Sequence, residues 1–296
     1  MGSAVYKLVL SGYYGFNNSG DEAVLKSILA ALAEAGKTEG AVIEPVVLSA
    51  DPVQTGKMYG VQSVHRMRPA EVRRAIRDSD GLISGGGSLL QDATGWKSIP
   101  YYLGVAKLAQ WAGKPVFIYS QGIGPVRRRL FYPLIRHVFQ KAAYVSVRDP
   151  ESAELLGEMG VDRARVEVVP DPVMGMPLPE AGGGSGGDSA EIPVVGVSVR
   201  FWKEDRSDLE RLAESLRLLC RGRRLVLRFL PFHSPSDEEA SRFVAERLGT
   251  ELGECTIPQA AAHADPQQML LEVSRCSLLI GMRLHSLIYA ASQYVP

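Results

Sequence analysis

The residues best suited to chemistry sit where apolar runs give way to loops. Arg283 and His285 fall between a strand-like run, Cys276–Ile280, and a helix-like segment, Ser286–Ser292. A strand-to-helix junction offers unsatisfied N–H groups and the positive end of a dipole, so an arginine there favours an anion. The neighbouring histidine adds a group whose ordinary pKa suits proton transfer. Arg148 closes another apolar run beside Asp149, and Arg200 closes a third; both are candidate anion contacts. His233 lies in the proline-bounded loop Pro231–Pro235 after a strand. Asp21 opens a helix next to Asn17 and Asn18, a set able to hydrogen-bond hydroxyl groups, with Asp21 a candidate base. Each position also has a plainly structural reading. Arg283 can snorkel, His285 can be satisfied in the core, and Arg148 can pair locally with Asp149. Arg200 and His233 can be surface residues, and Asp21 a helix-start charge.

These positions need elements to hold them, and the chain alternates strands with helices. The opening unit spans Lys7 to Ala23. The apolar run Leu8-Val9-Leu10 ends in Ser11-Gly12, and a loop with Gly15, Asn17, Asn18 and Gly20 leads into a helix near Asp21. Ser19 and Glu22 have capping-box spacing, and Val24, Leu25, Ile28, Leu29 and Leu32 recur with helical period. Glycines in such a loop let the backbone come close to a ligand at a helix N-terminus. The loop has no G-x-G-x-x-G and no Gly-Lys-Ser/Thr, so it is not an ordinary dinucleotide or NTP fingerprint. Further strands are predicted at Pro45–Ser49, Asp80–Ser84, Pro115–Tyr119, Tyr144–Val147 and Val166–Val169. Helices are predicted at Ala70–Ile76, Tyr101–Trp111, Phe131–Phe139 and Glu151–Met159. This alternation implies an α/β fold with a mostly parallel sheet, whose strand-end loops share the edge where ligands bind.

Glycine, serine and proline dominate Pro177 to Pro193, predicted as a linker or long loop between an N-terminal domain, 1–176, and a C-terminal domain, 194–296. The second half restarts the pattern with strands at Val194–Val199, Arg224–Leu230 and Cys276–Ile280. Its helices are expected at Leu209–Cys220, Asp237–Leu248, Gln267–Ser274 and Ser286–Ser292. A second α/β domain would want a further strand and helix after Val295-Pro296, so the C-terminal domain reads as incomplete. Two Rossmann-like domains facing across a cleft, the GT-B-like arrangement, are the expected architecture.

Composition sets outer bounds. The chain has 296 residues, 46% hydrophobic and 22% charged, with 33 basic and 33 acidic side chains. Zero net charge argues against a nucleic-acid-coating surface, so any anion site is built from a few placed cations. Cys220, Cys255 and Cys276 are odd in number and unpatterned, as reduced cytoplasmic thiols would be. No signal-peptide pattern opens the chain, and no apolar run reaches the ~18 residues of a membrane span. No His/Cys/Asp cluster has metal-ligand spacing, so no metal is expected. A cytoplasmic protein, with possible work at a membrane surface, is the resulting expectation.

Five ordered segments carry a resemblance. Gly15-Phe16-Asn17-Asn18-Ser19-Gly20-Asp21-Glu22-Ala23 resembles the opening G-x-x-N-x-G-D-E-A of the polysaccharide pyruvyl transferase family. So do Gly85-Gly86-Gly87-Ser88-Leu89-Leu90-Gln91-Asp92, Gln121-Gly122-Ile123-Gly124-Pro125, Arg148-Asp149 and Arg283-Leu284-His285-Ser286-Leu287. Each segment alone is weak, whereas the ordered set covers almost the whole chain. The set also resembles the CsaB-type branch, which pyruvylates a secondary cell-wall polymer that anchors surface-layer proteins. The resemblance implies a GT-B-like fold and transfer of the pyruvyl group of phosphoenolpyruvate to N-acetylmannosamine, as a 4,6-ketal. It also implies a lipid-linked acceptor at the inner membrane face. The family pattern continues past Pro296 with a strand and a lysine-bearing loop.

That reaction needs an anion cradle, an acid and a base. For that reaction the residues' own chemistry and strand-end positions make Arg148, Arg200, Arg283 and His285 the donor candidates, with His285 and Asp21 as the catalytic pair. Acceptor contacts fall to Gly15, Asn17, Asn18, Asp21 and Gln91, with Asp92 a helix-start or acceptor contact. Gly85 to Gly87 shape the site's floor, and Tyr13, Tyr14 and Phe16 either stack on a sugar or fill the core. No cofactor is required, since phosphoenolpyruvate is a substrate. Arg127-Arg128-Arg129 is either a solvated face or a contact with anionic lipid, whereas Arg221-Gly222-Arg223-Arg224 reads as solvated. Two other functions stay open: a GT-B glycosyltransferase using a nucleotide sugar, and a non-catalytic carbohydrate-binding module on the same scaffold.

Overall fold

Strands buried on both faces must be apolar along their whole length, and that requirement organises the chain. The computed structural model describes residues 3–93, 95–179, 192–249, 254–258 and 263–296. They form two compact units: unit 1 is the chain up to Phe16 plus Asp21–Pro172, and unit 2 is Asn17–Gly20 plus Val173–Pro296.

Unit 1 begins with β1 (Val5–Tyr14), α1 (Ser19–Glu39, its first two residues counted with unit 2), β2 (Val42–Ser49), α2 (Pro52–Tyr59) and β3 (Gln62–His65). It continues with α3 (Pro69–Arg77), β4 (Gly81–Gly85), α4 (Ser98–Trp111), β5 (Val116–Gln121), α5 (Tyr132–Phe139), β6 (Tyr144–Val147), α6 (Pro150–Glu158) and β7 (Val166–Val168). Its strands form one parallel sheet in the order β3-β2-β1-β4-β5-β6-β7. Val9, Leu10, Val46, Val47, Leu82 and Ile83 are buried in unbroken apolar runs, as a doubly covered parallel sheet requires. The strand order reverses between β1 and β4, so the loops following these two strands part and leave a crevice at the sheet's C-terminal edge.

Unit 2 contains β8 (Val194–Ser198), α7 (Ser207–Cys220), β9 (Val226–Phe229), α8 (Ser236–Leu248), α9 (Pro266–Ser274), β10 (Leu278–Gly281) and α10 (Leu284–Ser292). The three strands are parallel in the order β10-β8-β9. Val195, Val197, Leu227 and Phe229 pack against Leu209, Ala213 and Leu216 of α7 and Ala240, Val244 and Leu248 of α8. Those helical positions recur every three or four residues, which gives each helix one apolar face. The three cysteines are buried and unbridged. No described helix is long and apolar enough to cross a membrane.

The structure departs from the sequence-based expectation in three places. α2 and β3 were not anticipated: α2 buries only Thr55, and β3 is a four-residue edge strand, so neither has an apolar period. Ser19 and Glu22 do not close a reciprocal capping box. The Ser19 N–H donates to the Phe232 carbonyl at 2.7 Å, and the Glu22 carboxylate turns to other donors. Residues 17–20, expected within the first domain, belong with unit 2. Besides the Ser19 bond, the Tyr289 hydroxyl donates to the Ser19 carbonyl at 2.9 Å, and Asn18 forms a bridge with His233. Of the expected linker, Pro177 to Pro193, residues 180–191 lie outside the described residues.

Gly86 tests the packing behind the crevice. Its φ is +63°, and an added Cβ would lie 1.9 Å from Val24 Cγ1 of α1. Gly86→Ala should therefore destabilise unit 1 by about 2–4 kcal/mol in denaturant titrations. A loss within about 0.5 kcal/mol would show that α1 shifts freely, against this account.

Candidate functional site

In unit 1 the crevice is walled by the loops after β1 and β4. Tyr14 is buried and donates its hydroxyl to the Gly85 carbonyl at 2.9 Å. The Gly15 N–H donates to Glu22 Oε1 at 2.8 Å, and the Tyr59 hydroxyl to Glu22 Oε2 at 2.7 Å. Burial raises the Glu22 carboxyl above its ordinary pKa, opposed by those two bonds. Asp21 stands in the first turn of α1, and a Cβ on Gly87 would lie 2.8 Å from its Oδ1, so the carboxylate reaches over the glycine loop. Burial first, then the charge of Asp21, pushes the Tyr14 hydroxyl well above its usual range. Gln91 lies further along the loop, where its Oε1 accepts from the Ala93 N–H at 2.9 Å. Tyr13 and Phe16 stack on each other with centroids 4.0 Å apart.

Arg66, just after β3, is a residue that sequence reasoning missed. It is buried, and its Nη1 donates to the Gly12 carbonyl at 3.2 Å and to the Tyr102 hydroxyl at 3.3 Å. Its guanidinium lies 4.2 Å from the Tyr101 ring centroid and 5.1 Å from that of Phe16. Among the described residues its partners are a carbonyl, a hydroxyl and ring faces, with no carboxylate. The polar run Gln62-Ser63 before it carries no motif, so nothing in the sequence singled it out.

Arg148 follows β6 and makes its closest ion pair with Asp171, at 3.1 Å, with side chains 7% and 5% exposed. The Asp149 carboxylate is 3.7 Å away and instead caps α6 through the Ser152 N–H. Arg148 Nη2 also donates to Ser88 Oγ at 2.8 Å, which ties the glycine loop to the end of β6.

In unit 2, all three strand ends contribute side chains. Asp237, in the first turn of α8, is fully buried and accepts from Arg283 Nε at 3.0 Å and Arg283 Nη2 at 2.5 Å. The His233 N–H donates to the same carboxylate at 3.0 Å. Arg200, after β8, lies with its guanidinium 4.9 Å from the Trp202 ring centroid. Its Nε is buried without a hydrogen-bond partner. Burial lowers its pKa from the ordinary arginine range, as does neighbouring Arg283, while Asp237 acts in the opposite direction. His285 stands in the first turn of α10, against the 17–20 loop; a Cβ on Gly20 would lie 2.3 Å from its Nδ1.

The candidate residues thus sort by unit. Gly15, Asp21, Gln91 and Arg148 are in unit 1, whereas Asn17, Asn18, Arg200, His233, Arg283 and His285 are in unit 2. Asn17 accepts from the Ser234 N–H at 3.2 Å, and Asn18 Oδ1 from the Gly20 N–H at 3.1 Å. Among the described residues no group of three or more His, Cys, Asp or Glu is placed to hold a metal ion.

The sequence model of the polysaccharide pyruvyl transferase family matches residues 18–296. No curated protein matches the chain. Among solved structures, the UDP-GlcNAc 2-epimerase of Methanocaldococcus jannaschii superposes with a TM-score of 0.62 at 10% identity, over 99% of this chain and 82% of that one. The UDP-N-acetylglucosamine 2-epimerase of Rickettsia bellii gives 0.56 at 10% identity, over 100% and 78%. A glycosyltransferase from Rickettsia africae gives 0.59 at 11% identity, over 99% and 78%. At such identities the likeness establishes the fold, which is GT-B.

Glu22 provides a pH test of the unit 1 crevice. Its folded pKa is raised, so the folded state holds this proton more tightly than the unfolded chain does. Its contribution to stability is therefore fully present below the unfolded pKa and is lost as pH rises through the folded value. Glu22→Gln mimics the protonated form. Denaturant titrations from about pH 4 to pH 8 should show a flatter stability profile for the variant, and greater stability than the parent at the upper end. Parallel profiles would contradict this assignment.

Proposed function

The chain belongs to the polysaccharide pyruvyl transferase family, and from that premise we propose that its donor is phosphoenolpyruvate and its acceptor N-acetylmannosamine in a lipid-linked repeat of a secondary cell-wall polymer. The product is a 4,6-ketal, formed with release of phosphate. The reading implies a cytoplasmic enzyme whose polymer anchors surface-layer proteins. One observation in unit 2 supports the donor half best: Asp237 is engaged by Arg283, while Arg200 stands in the field of both with its Nε buried and without an acceptor. Such an excess of cationic donors suits a ligand bearing a carboxylate and a phosphate, each charged bond contributing roughly 1.5–3 kcal/mol.

In this reading Arg200 and Arg283 hold the donor anion, and the N-terminus of α10 adds its dipole. Arg148 is a third donor contact; Asp171 and Ser88 fix its orientation, and a guanidinium has five N–H groups to distribute. His285 protonates the methylene carbon of the enol. A sugar hydroxyl then attacks the adjacent carbon, phosphate leaves, and the second hydroxyl closes the ketal. The two hydroxyl protons leave through Asp21 as base, one of them replacing the proton given by His285 and the other departing with the phosphate as its C–O bond breaks. Gly15, Asn17, Asn18, Asp21 and Gln91 are assigned to the acceptor. The reaction written this way needs no cofactor.

Thermal unfolding with phosphoenolpyruvate, with UDP and with neither tests the donor. A hundredfold excess over the dissociation constant adds about 2.7 kcal/mol to the stability of the folded state. A higher midpoint with phosphoenolpyruvate alone is expected. A rise with UDP alone would transfer the chain to the nucleotide-sugar enzymes, and glycan binding without phosphate release would mark a non-catalytic module. Arg200→Met should weaken donor protection by about 1.5–3 kcal/mol, because it removes charged bonds without stranding Asp237. His285→Ala should lower the rate of phosphate release more than it lowers donor affinity; equal losses would make His285 a ligand rather than the acid.

A further inference from the structure

The cations of this electrically neutral chain are unevenly placed. Between Asp92 and Asp149 there are nine Lys and Arg and no Asp or Glu, which leaves 24 cations against 33 acids elsewhere. Much of that stretch forms α4 and α5 of unit 1, which lie side by side. Gln110 Nε2 donates to the Val138 carbonyl at 2.8 Å, and Lys107 Nζ meets His137 Nε2 at 2.7 Å. The local field is positive: Lys107 first, then burial and Lys141, holds the His137 imidazole below its ordinary range.

Large apolar side chains stand among these cations. Trp111 is 73% exposed, with the Lys107 ammonium 5.6 Å from its ring centroid. Leu130 and Leu134 are 63% and 50% exposed. Arg127, Arg128 and Arg129 are exposed immediately before Leu130. The Arg127 and Arg128 N–H groups donate to the Asp92 carboxylate at 2.8 and 2.9 Å, so the backbone of this basic corner is fixed.

We propose that the α4–α5 face of unit 1 docks on an anionic lipid bilayer. A merely solvated basic face has no use for an exposed tryptophan and two exposed leucines. A polyanion such as RNA would engage the cations and the indole but give the two aliphatic side chains nothing to enter. At a bilayer surface all three kinds of residue are satisfied: arginine and lysine meet anionic headgroups, the indole lies at the headgroup level, and leucine enters the acyl boundary. The inference goes beyond the transfer reaction and does not depend on which donor the chain uses.

Co-sedimentation of the full chain with vesicles tests it. Vesicles of phosphatidylcholine containing one-third phosphatidylglycerol should bind the protein, and pure phosphatidylcholine should not. Each cation near an anionic surface contributes roughly fivefold in affinity, so Arg128→Gln with Arg129→Gln should weaken binding roughly 25-fold. Trp111→Ser with Leu134→Ser should weaken vesicle binding severalfold while leaving retention on a heparin column unchanged. All four positions are exposed, and unchanged unfolding midpoints confirm that the variants fold. Phosphate release with a soluble acceptor should be the same in parent and variants, which separates this surface from the catalytic reading. Equal binding to both vesicle types, no binding, or insensitivity of vesicle binding to the Trp111 and Leu134 changes would overturn the proposal. The last outcome, together with heparin retention, would identify a general polyanion surface.

Discussion

A fully buried carboxylate must be answered in kind, and Asp237 imposes that condition on unit 2. With no exposure to water, its charge is tolerable only through strong local donors. Arg283 supplies two and the His233 backbone a third, and these come from different strand-end segments. One carboxylate therefore fixes the start of α8, the loop after β9 and the junction between β10 and α10 at once. Removing one partner of such a pair costs about 3–5 kcal/mol because the other charge is stranded. The same logic operates in unit 1, where Asp171 anchors Arg148 and, through it, Ser88 of the glycine loop.

Cations that lack such a partner form a different class. Arg200 lies over the Trp202 ring and keeps a buried Nε without an acceptor, whereas Arg66 is enclosed by rings, a hydroxyl and a carbonyl. The number of carboxylates beside each arginine thus distinguishes those whose charge is consumed by the fold from those whose charge is left over. Arg148 and Arg283 are partly consumed, which is why their orientation is fixed. A sequence displays all four arginines alike, since charge balance is a property of neighbours rather than of residue type.

This limit also explains what could be read in advance. The strand-helix alternation, the parallel sheet of unit 1 and the strand-end position of Arg283 and His285 were legible because they follow from local periodicity and from Gly-rich loops. α2 and β3 were not, because an edge strand and a helix burying one threonine have no period to detect. Ser19 and Glu22 had the correct spacing for a cap, yet partners far along the chain claimed both. Ser19 is engaged by Phe232 and Tyr289, more than 200 residues away, and Glu22 by Tyr59. Pairings of that kind, including Arg148 with Asp171 rather than adjacent Asp149, are decided by the packed structure.

The fold itself says little about chemistry. Epimerases and a glycosyltransferase share it at 10–11% identity, because a parallel sheet asks only for apolar strands and helices with one apolar face. What a parallel sheet does guarantee is that every loop leaving a strand emerges on one edge. Gly86, Gly87, Arg148, Arg200, His233 and Arg283 all follow strands, so they lie at such edges whatever the intervening helices contain. Information about function is consequently concentrated in short segments separated by long stretches that need only be apolar at the correct period. Family membership is legible from the order of those segments even though no single one of them is distinctive.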